Sequence, residues 1–339
     1  MQILVTHAPR KMAFEERPKP EPGPGEVQVQ TRAIGLCGSD IHLYNGTHPY
    51  RTYPNVFGHE VSGWVTQVGE GVNGFSKGDH VVLEPLIWCG ECYPCSIGRT
   101  NCCSRMRTIG VTVPGAMADF FVVPARCLHK VPRELPPQVA SLCEPYSVGF
   151  HANARGGVQE NEHIFVIGVG PIGLAILAAA KYRGAQVAVS DLIDKRLEIA
   201  RKMGADLVIN SGQTDPVPVV REWTGGNMAA VVFEAVGHPR TIESTIKLVA
   251  DAGRVVIVGV TEEFASLRGV DITKKELTIY GSRNNLGRFK DAIEFVVSDP
   301  DLASKMITHK YPFAQAIEAF ENTEAHPEQV CKVILDFET

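Results

Sequence analysis

The sequence predicts an α/β protein in two parts: a doubly wound parallel sheet and a β-rich module ahead of it. Three observations carry this reading. From residue 164 to about 285, short apolar runs alternate with helix-forming stretches. A Gly-x-Gly-x-x-Gly turn follows the first of those runs. Before residue 134 the chain instead shows brief strand-like segments separated by Gly-Asn, Gly-Asp and Pro-Gly turn signals.

Taken in order, the chain opens with a strand, a Pro/Gly-rich loop over residues 18–25 and a strand over residues 27–33. Strand-like segments continue at residues 56–68, 80–83 and 118–123. Residues 135–153 read as helical, with Ser147 and Gly149 as weak spots. Six strands are expected at residues 164–167, 186–190, 207–209, 230–233, 254–258 and 277–280, with helices between them. A helix at 286–298 and a strand at 330–335 lie beyond the sixth strand and are expected to return to the first part. The expected domains are therefore residues 1–150 completed by 286–339, and residues 151–285.

Bulk numbers narrow the function. With 33 basic against 38 acidic residues the net charge is −5, so nothing electrostatic invites nucleic acid or an anionic membrane. The opening Met1-Gln2-Ile3-Leu4 carries no signal-peptide pattern, and the longest apolar run, residues 174–180, is too short to span a bilayer. The expectation is a cytoplasmic protein. Its nine cysteines then point to metal or reactive thiols before disulfides.

The sheet is organised around residues 164–180. Gly168 should make the tight turn, Gly170 should admit a pyrophosphate to the backbone, and Gly173 should let helix and strand pack closely. The helix N-terminus would hold the phosphates. The second strand ends at Asp191, 18 residues past Gly173, where a carboxylate binds ribose hydroxyls and repels a 2′-phosphate. The reading is NAD over NADP.

Two metal sets follow from the cysteines. Cys89-x2-Cys92-x2-Cys95-x7-Cys103 brings four thiolates onto one loop and suits a closed structural zinc, with Cys102 a competitor for the fourth place. A second, scattered set comprises Cys37, then His59 and Glu60 after Gly58, then Glu144 after Cys143. A catalytic zinc takes about three protein ligands and keeps one position open. Neighbours on a regular strand face opposite sides, so His59 and Glu60 share a metal only if the chain bends, which Gly58 permits. Glu144 is either a direct ligand or acts through water. Cys127, Cys143 and Cys331 read as buried small apolar residues.

With these residues in hand, the whole chain resembles the zinc-dependent medium-chain alcohol and polyol dehydrogenases. The matching segments are Cys37-Gly-Ser-Asp40, Gly58-His59-Glu60, Val68-Gly69-Glu70-Gly71-Val72, Gly78-Asp79-His80-Val81, the four-cysteine loop and Gly168-Val-Gly-Pro-Ile-Gly173. The resemblance implies a GroES-like first domain beside the Rossmann domain. It implies a catalytic zinc on Cys37, His59 and Glu60, with Glu144 in or near its shell, and Cys103 as the fourth structural ligand. Zinc would lower the pKa of a substrate hydroxyl, Ser39 would take its proton and His42 would pass it to solvent. Read without the family, Ser39 serves equally well as a helix N-cap, a role compatible with proton transfer, and His42 also reads as a solvated side chain. The dinucleotide would lie on Gly168, Gly170, Pro171, Ile172, Gly173 and Asp191, with Arg196 flanking the adenine and Val258, Val260 and Arg283 further along. Arg196 and Arg283 also read as a solvated helix charge and a structural ion pair. The sixth strand would be an edge that pairs across a two-fold axis, giving a homodimer or homotetramer.

The sequence looks closest to bacterial sugar-acid members, including L-gulonate and L-galactonate 5-dehydrogenases. His48, Tyr50, Arg51 and Arg283 are candidates to hold a substrate carboxylate or hydroxyls. The expected reaction is oxidation of the C5 hydroxyl of a six-carbon aldonate, L-gulonate first. The runner-up is a sorbitol-like polyol or L-threonine dehydrogenase. A nucleotide-sensing regulator without chemistry is a distant alternative, disfavoured by the intact Cys37, His59, Glu60 and Ser39.

Overall fold

The computed structural model describes residues 1–337. The chain divides into two compact units, Met1–Glu144 with residues from Ala292 onward, and Pro145–Asp291. These boundaries lie a few residues from the expected 150 and 285.

The first unit begins with an antiparallel hairpin, β1 (Gln2–Ala8) and β2 (Lys11–Glu16). The long strand β3 (Glu26–Leu36) is the centre of the larger sheet, because Val27, Val29, Ala33 and Ile34 are all buried. Helix α1 (Gly38–Asn45) follows it directly, then β4 (Glu60–Val68) and β5 (His80–Leu83). The expected strand over 56–68 starts late. Gly58 adopts φ +94°, and a Cβ there would press on Met117, so the chain turns before the strand begins. Short elements β6 (Leu86–Ile87), α2 (Tyr93–Ser96) and β7 (Arg107–Thr108) frame the four-cysteine loop. Strands β8 (Phe120–Pro124) and β9 (Leu128–Lys130) and helix α3 (Pro137–Ala140) complete this stretch. The expected helix over 135–153 is two helices, α3 and α4 (Cys143–Gly156). Ser141 ends the first by donating its hydroxyl to the Gln138 carbonyl at 3.0 Å.

The second unit carries β10 (His163–Ile167), α5 (Pro171–Tyr182), β11 (Gln186–Asp191), α6 (Asp194–Lys202) and β12 (Leu207–Asn210). It continues with α7 (Pro216–Trp223), β13 (Ala229–Glu234), α8 (Pro239–Leu248), β14 (Val249–Ile257), α9 (Gly269–Lys275) and β15 (Thr278–Gly281). All six expected strands form one parallel sheet in the order β12-β11-β10-β13-β14-β15. The order reverses between β10 and β13, and doubly wound sheets bind their ligands at the carboxyl ends beside such a reversal. Gly173 to Ala180 are all buried, as an apolar run with no polar face requires.

The chain then supplies α10 (Phe289–Ser298), α11 (Pro300–Ser304), β16 (Ile307–Pro312), α12 (Ala316–Ala325) and β17 (Lys332–Asp336). Helix α10 starts three residues later than expected because Gly287 has φ +63°. Strand β17 pairs antiparallel with β3, so the sheet of the first unit runs β16-β17-β3-β4-β5-β9, with β8 also on β3. Among the described residues no helix is long and apolar enough to cross a membrane.

Candidate metal centres and dinucleotide site

Cys37 ends the approach from β3 to α1, and His59 precedes the first residue of β4, Glu60. Strands β3 and β4 are neighbours, with Gly35 opposite Glu60. The ligand atoms of Cys37, His59 and Glu60 all lie within 4.8 Å of one another, the scale of one four-coordinate ion with bonds of about 2.0–2.3 Å. The chain turns at Gly58, φ +94°, and His59 and Glu60 fall in the same cluster. His59 Nδ1 faces Asp40 Oδ1 at 3.5 Å, so Nε2 is the nitrogen that would be available to a metal. Both facing atoms are buried without a hydrogen-bond partner, and ligation of the ring through its other nitrogen would leave Nδ1–H to donate to Asp40. The donor set of thiolate, imidazole and carboxylate suits zinc.

Lys332 completes this cluster from the far end of the chain. Its Nζ lies 2.6 Å from each carboxylate oxygen of Glu60 and 3.1 Å from the Leu36 carbonyl. A side chain on Gly35 would overlap the Glu60 carboxylate, so the glycine is the gap through which Glu60 crosses β3 towards β17. Burial alone would pull the Lys332 pKa down, but Glu60 and then Cys37 outweigh it and hold the ammonium charged. Glu144, half-buried at the start of α4, feels the same groups. Burial pushes its carboxyl up to about 7, with His59 pulling down and Glu60 pushing up.

Helix α1 corrects one expectation. Its N-cap is Cys37, not Ser39, and Asp40 at the third helical position accepts from the Cys37 N–H at 2.9 Å. Ser39 lies inside the first turn, three residues before His42, so the two share a helix face. His42 Nδ1 is 2.8 Å from Thr47 Oγ1, whose own proton goes to Asn45 Oδ1 at 2.7 Å. The ring must therefore donate from Nδ1, leaving Nε2 with its lone pair free. The His48 N–H donates to the His42 carbonyl at 3.0 Å. His48 in turn accepts the Tyr50 N–H on Nδ1 at 3.1 Å and the Arg51 guanidinium on its carbonyl at 3.2 Å. The three expected substrate contacts of this unit thus form one turn. Burial, then the nearby His42, push the His48 pKa down.

Cys89, Cys92, Cys95 and Cys103 form a second cluster. Their sulfurs lie 3.4 Å (Cys92 to Cys95), 3.5 Å (Cys89 to Cys103), 3.7 Å (Cys92 to Cys103) and 4.0 Å (Cys89 to Cys95) apart. Four Zn–S bonds of about 2.3 Å at tetrahedral angles need a spacing of about 3.8 Å, so the residues fit the ion. The Cys103 sulfur accepts the Cys89 and Arg105 backbone N–H groups at 3.4 and 3.3 Å. The Ser104 hydroxyl and the Cys95 N–H hold the Cys92 thiol down at about 5. Cys102 stands outside the four, while Cys127, Cys143 and Cys331 are buried.

In the second unit each glycine of the turn has a separate duty. Gly168 has φ +85°, Gly170 faces open space, and a side chain on Gly173 would overlap the Gly168 carbonyl. Gly170 caps α5 and Pro171 is its first residue, with Ile172 next. Asp191 ends β11 and accepts from the N–H groups of Val169 (2.8 Å), Leu192 (2.8 Å) and Ile193 (3.0 Å). A carboxylate offers about four lone-pair sites, so room remains for a ribose hydroxyl. Arg196 lies on α6, Val258 and Val260 follow β14, and Arg283 lies exposed after β15.

This fold and these two cysteine-bearing centres define a zinc-type medium-chain dehydrogenase. Residues 23–133 match the alcohol dehydrogenase GroES-like domain and residues 171–298 the zinc-binding dehydrogenase domain, and the chain belongs to that family. It is an oxidoreductase of CH–OH donors that uses zinc and a nicotinamide dinucleotide. It is 32% identical over 340 residues to L-galactonate-5-dehydrogenase of Escherichia coli K12, covering 99% of each chain. It is 37% identical over 297 residues to 2-dehydro-3-deoxy-L-galactonate 5-dehydrogenase of Pseudoalteromonas atlantica, covering 87% of each. An L-threonine 3-dehydrogenase of Pyrococcus horikoshii is 38% identical over 304 residues, 85% of each. The crystal structure of the Escherichia coli CFT073 alcohol dehydrogenase RspB with NADH superposes with a TM-score of 0.93, at 35% identity and 99% coverage of both chains.

Asp40, Gly35 and Lys332 were not assigned roles by the sequence. Asp40 stood inside the Cys37-Gly-Ser-Asp40 segment, three residues after a ligand, which is a local signal. Lys332 had none, since its partner is 272 residues away.

Proposed function

We propose that this enzyme uses NAD to oxidise the C5 hydroxyl of a six-carbon sugar acid, L-gulonate or L-galactonate, to the 5-keto acid. The observation that carries the substrate class is the turn after α1. It gathers Arg51, His48 and Tyr50 beside His42, in the unit that holds the metal ligands. A guanidinium with neighbouring hydrogen-bonding groups suits a carboxylate and hydroxyls. The names of two relatives specify reaction at C5 of L-galactonate-derived acids.

Zinc, when bound, supplies a Lewis acid for the substrate hydroxyl, and the nicotinamide accepts the hydride. Cys37, His59 and Glu60 hold the metal, with Asp40 orienting His59. Glu144 sits beside them as a nearly neutral-pH carboxyl, within electrostatic reach of the trio. Ser39 takes the hydroxyl proton and passes it to His42 Nε2, the nitrogen left free by the Thr47 contact. Cys89, Cys92, Cys95 and Cys103 hold the structural zinc. Gly168, Gly170, Pro171, Ile172 and Gly173 receive the diphosphate, Asp191 the adenosine ribose, and Arg196, Val258, Val260 and Arg283 flank the dinucleotide. Asp191 favours NAD over NADP. The exposed edge strand β15 supports assembly into a homodimer or homotetramer.

The test is NADH formation by zinc-loaded enzyme against aldonates, hexitols, pentitols and L-threonine. Turnover of L-gulonate or L-galactonate well above sorbitol supports the proposal. Preference for a neutral polyol assigns the turn at residues 47–51 to the fold, and preference for L-threonine keeps the carboxylate and discards the sugar.

A further inference from the structure

We infer that Glu234 is a positioning residue for the dinucleotide: its buried carboxylate fixes the turn that leaves β13, against which the turns leaving β10 and β14 pack. The inference rests on the proposed assignment of Gly168, Val258 and Val260 to the cofactor.

Glu234 is the last residue of β13, beside the point where the strand order reverses. It is fully buried. Its Oε1 accepts three bonds, from the N–H groups of Val236 and Gly237 at 2.9 Å each and from the Thr241 hydroxyl at 2.8 Å. Those bonds fix the turn from β13 to α8. Its backbone carbonyl accepts the Val258 and Gly259 N–H groups at 2.9 and 3.0 Å, which ties down the exit of β14. The three turns also touch each other without slack. A Cβ on Gly168 would run into the Val236 side chain. One on Gly237, at φ +79°, would come within 2.6 Å of the Val260 carbonyl oxygen. One on Gly259 would come within 2.7 Å of Glu234 Oε2 and overlap the Gly237 N–H.

Oε2 has no hydrogen-bond partner, although it is buried. An orphaned buried oxygen calls for an explanation, and the three bonds to Oε1, which set the geometry of the turn, supply one. Here that geometry is the relative placement of Gly168, Val236 and Val260, of which Val236 is 50% and Val260 87% exposed. Two exposed apolar side chains at the carboxyl ends of the strands suit the face of a nicotinamide ring.

The experiment compares Glu234→Val, Glu234→Gln and Gly259→Ala in the full-length zinc enzyme. The readouts are the NADH dissociation constant by fluorescence, KM for NAD and for substrate, zinc content and melting temperature. Glu234→Val strips the acceptor from three donors and should raise the NADH constant about tenfold, a loss of the order of 1.4 kcal/mol. KM for substrate at saturating NAD and zinc content should hold. Glu234→Gln keeps an oxygen for the same donors and should rescue NADH binding. Gly259→Ala should reproduce the loss with the carboxylate intact, which protects the test if Glu234→Val folds poorly. A lowered melting temperature with unchanged NADH binding in both Glu234→Val and Gly259→Ala overturns the inference. Failure of the unaltered enzyme to bind NADH would instead overturn the cofactor assignment itself, and this inference with it.

Discussion

Lys332 Nζ stands 2.6 Å from both carboxylate oxygens of Glu60, and each side chain is only 1% exposed. A buried pair of this kind is costly to break from one side, because the survivor keeps its charge without a partner. Lys332→Met should lower unfolding stability by about 3–5 kcal/mol, and Lys332→Arg by less. Adding Glu60→Gln to Lys332→Met should recover part of the loss. Urea unfolding of zinc-free protein measures all three. Equal stability of Lys332→Met and the parent would mean the pair has no net worth.

Cys37→Ser should abolish turnover while NADH still binds, since the dinucleotide cradle lies in the other unit. The paired measurements are steady-state rate and NADH fluorescence titration. Retained turnover would remove Cys37 from the catalytic metal site.

Cys95→Ser breaks the four-sulfur cage. Zinc per chain should fall from two to one, and the melting temperature should drop, because the loop has little apolar burial of its own and depends on metal for its order. Metal analysis after gel filtration decides it. Two zincs retained would point to Cys102 as a substitute ligand.

Asp191→Gly removes the charge that opposes a 2′-phosphate. The ratio of kcat/KM for NAD to that for NADP should fall at least about tenfold, the weight of roughly 1.4 kcal/mol between the two cofactors. An unchanged ratio would place cofactor choice elsewhere.

His80 supplies a pH dependence. Its ring is buried, accepts the Ser62 hydroxyl on Nε2 at 2.7 Å and donates from Nδ1 to the Pro132 carbonyl at 3.0 Å, with the Trp64 ring 4.3 Å away. Burial lowers its pKa, partly offset by the Pro132 bond. The folded state therefore binds a proton less readily than the unfolded chain, whose histidines titrate near about 6.5. This contribution is complete above that value and shrinks as the pH falls below it, by at most about 1.4 kcal/mol per unit. His80→Gln should flatten the acid limb of the stability curve. An identical acid limb would show that other groups set it.

The doubly wound sheet was legible because its inner strands β10, β11 and β13 are short apolar runs with a helix after each, and parallel strands buried on both faces leave that trace. The glycine turn was legible because Gly168, Gly170 and Gly173 each answer a local steric demand. The four-cysteine loop was legible from spacing at Cys89, Cys92 and Cys95, while the choice of Cys103 over Cys102 came from the family resemblance. Element ends were less so. The start of β4 depended on the positive φ of Gly58, and the sequence marks a glycine there without saying which way it turns. The N-cap of α1 fell to Cys37 instead of Ser39 because Asp40 closes the box from the third helical position. Lys332 was illegible in principle. It looks like one more lysine on a polar-apolar strand until β17 is laid beside β3.

That late placement has a consequence for biosynthesis. The second unit is one uninterrupted segment, and the ribosome can release it ready to fold while the first unit still lacks β16 and β17. Until Lys332 emerges, the Glu60 carboxylate lacks the ammonium that sits 2.6 Å from both its oxygens. The Glu60–Lys332 pair is therefore among the last contacts of the first unit that the emerging chain can make.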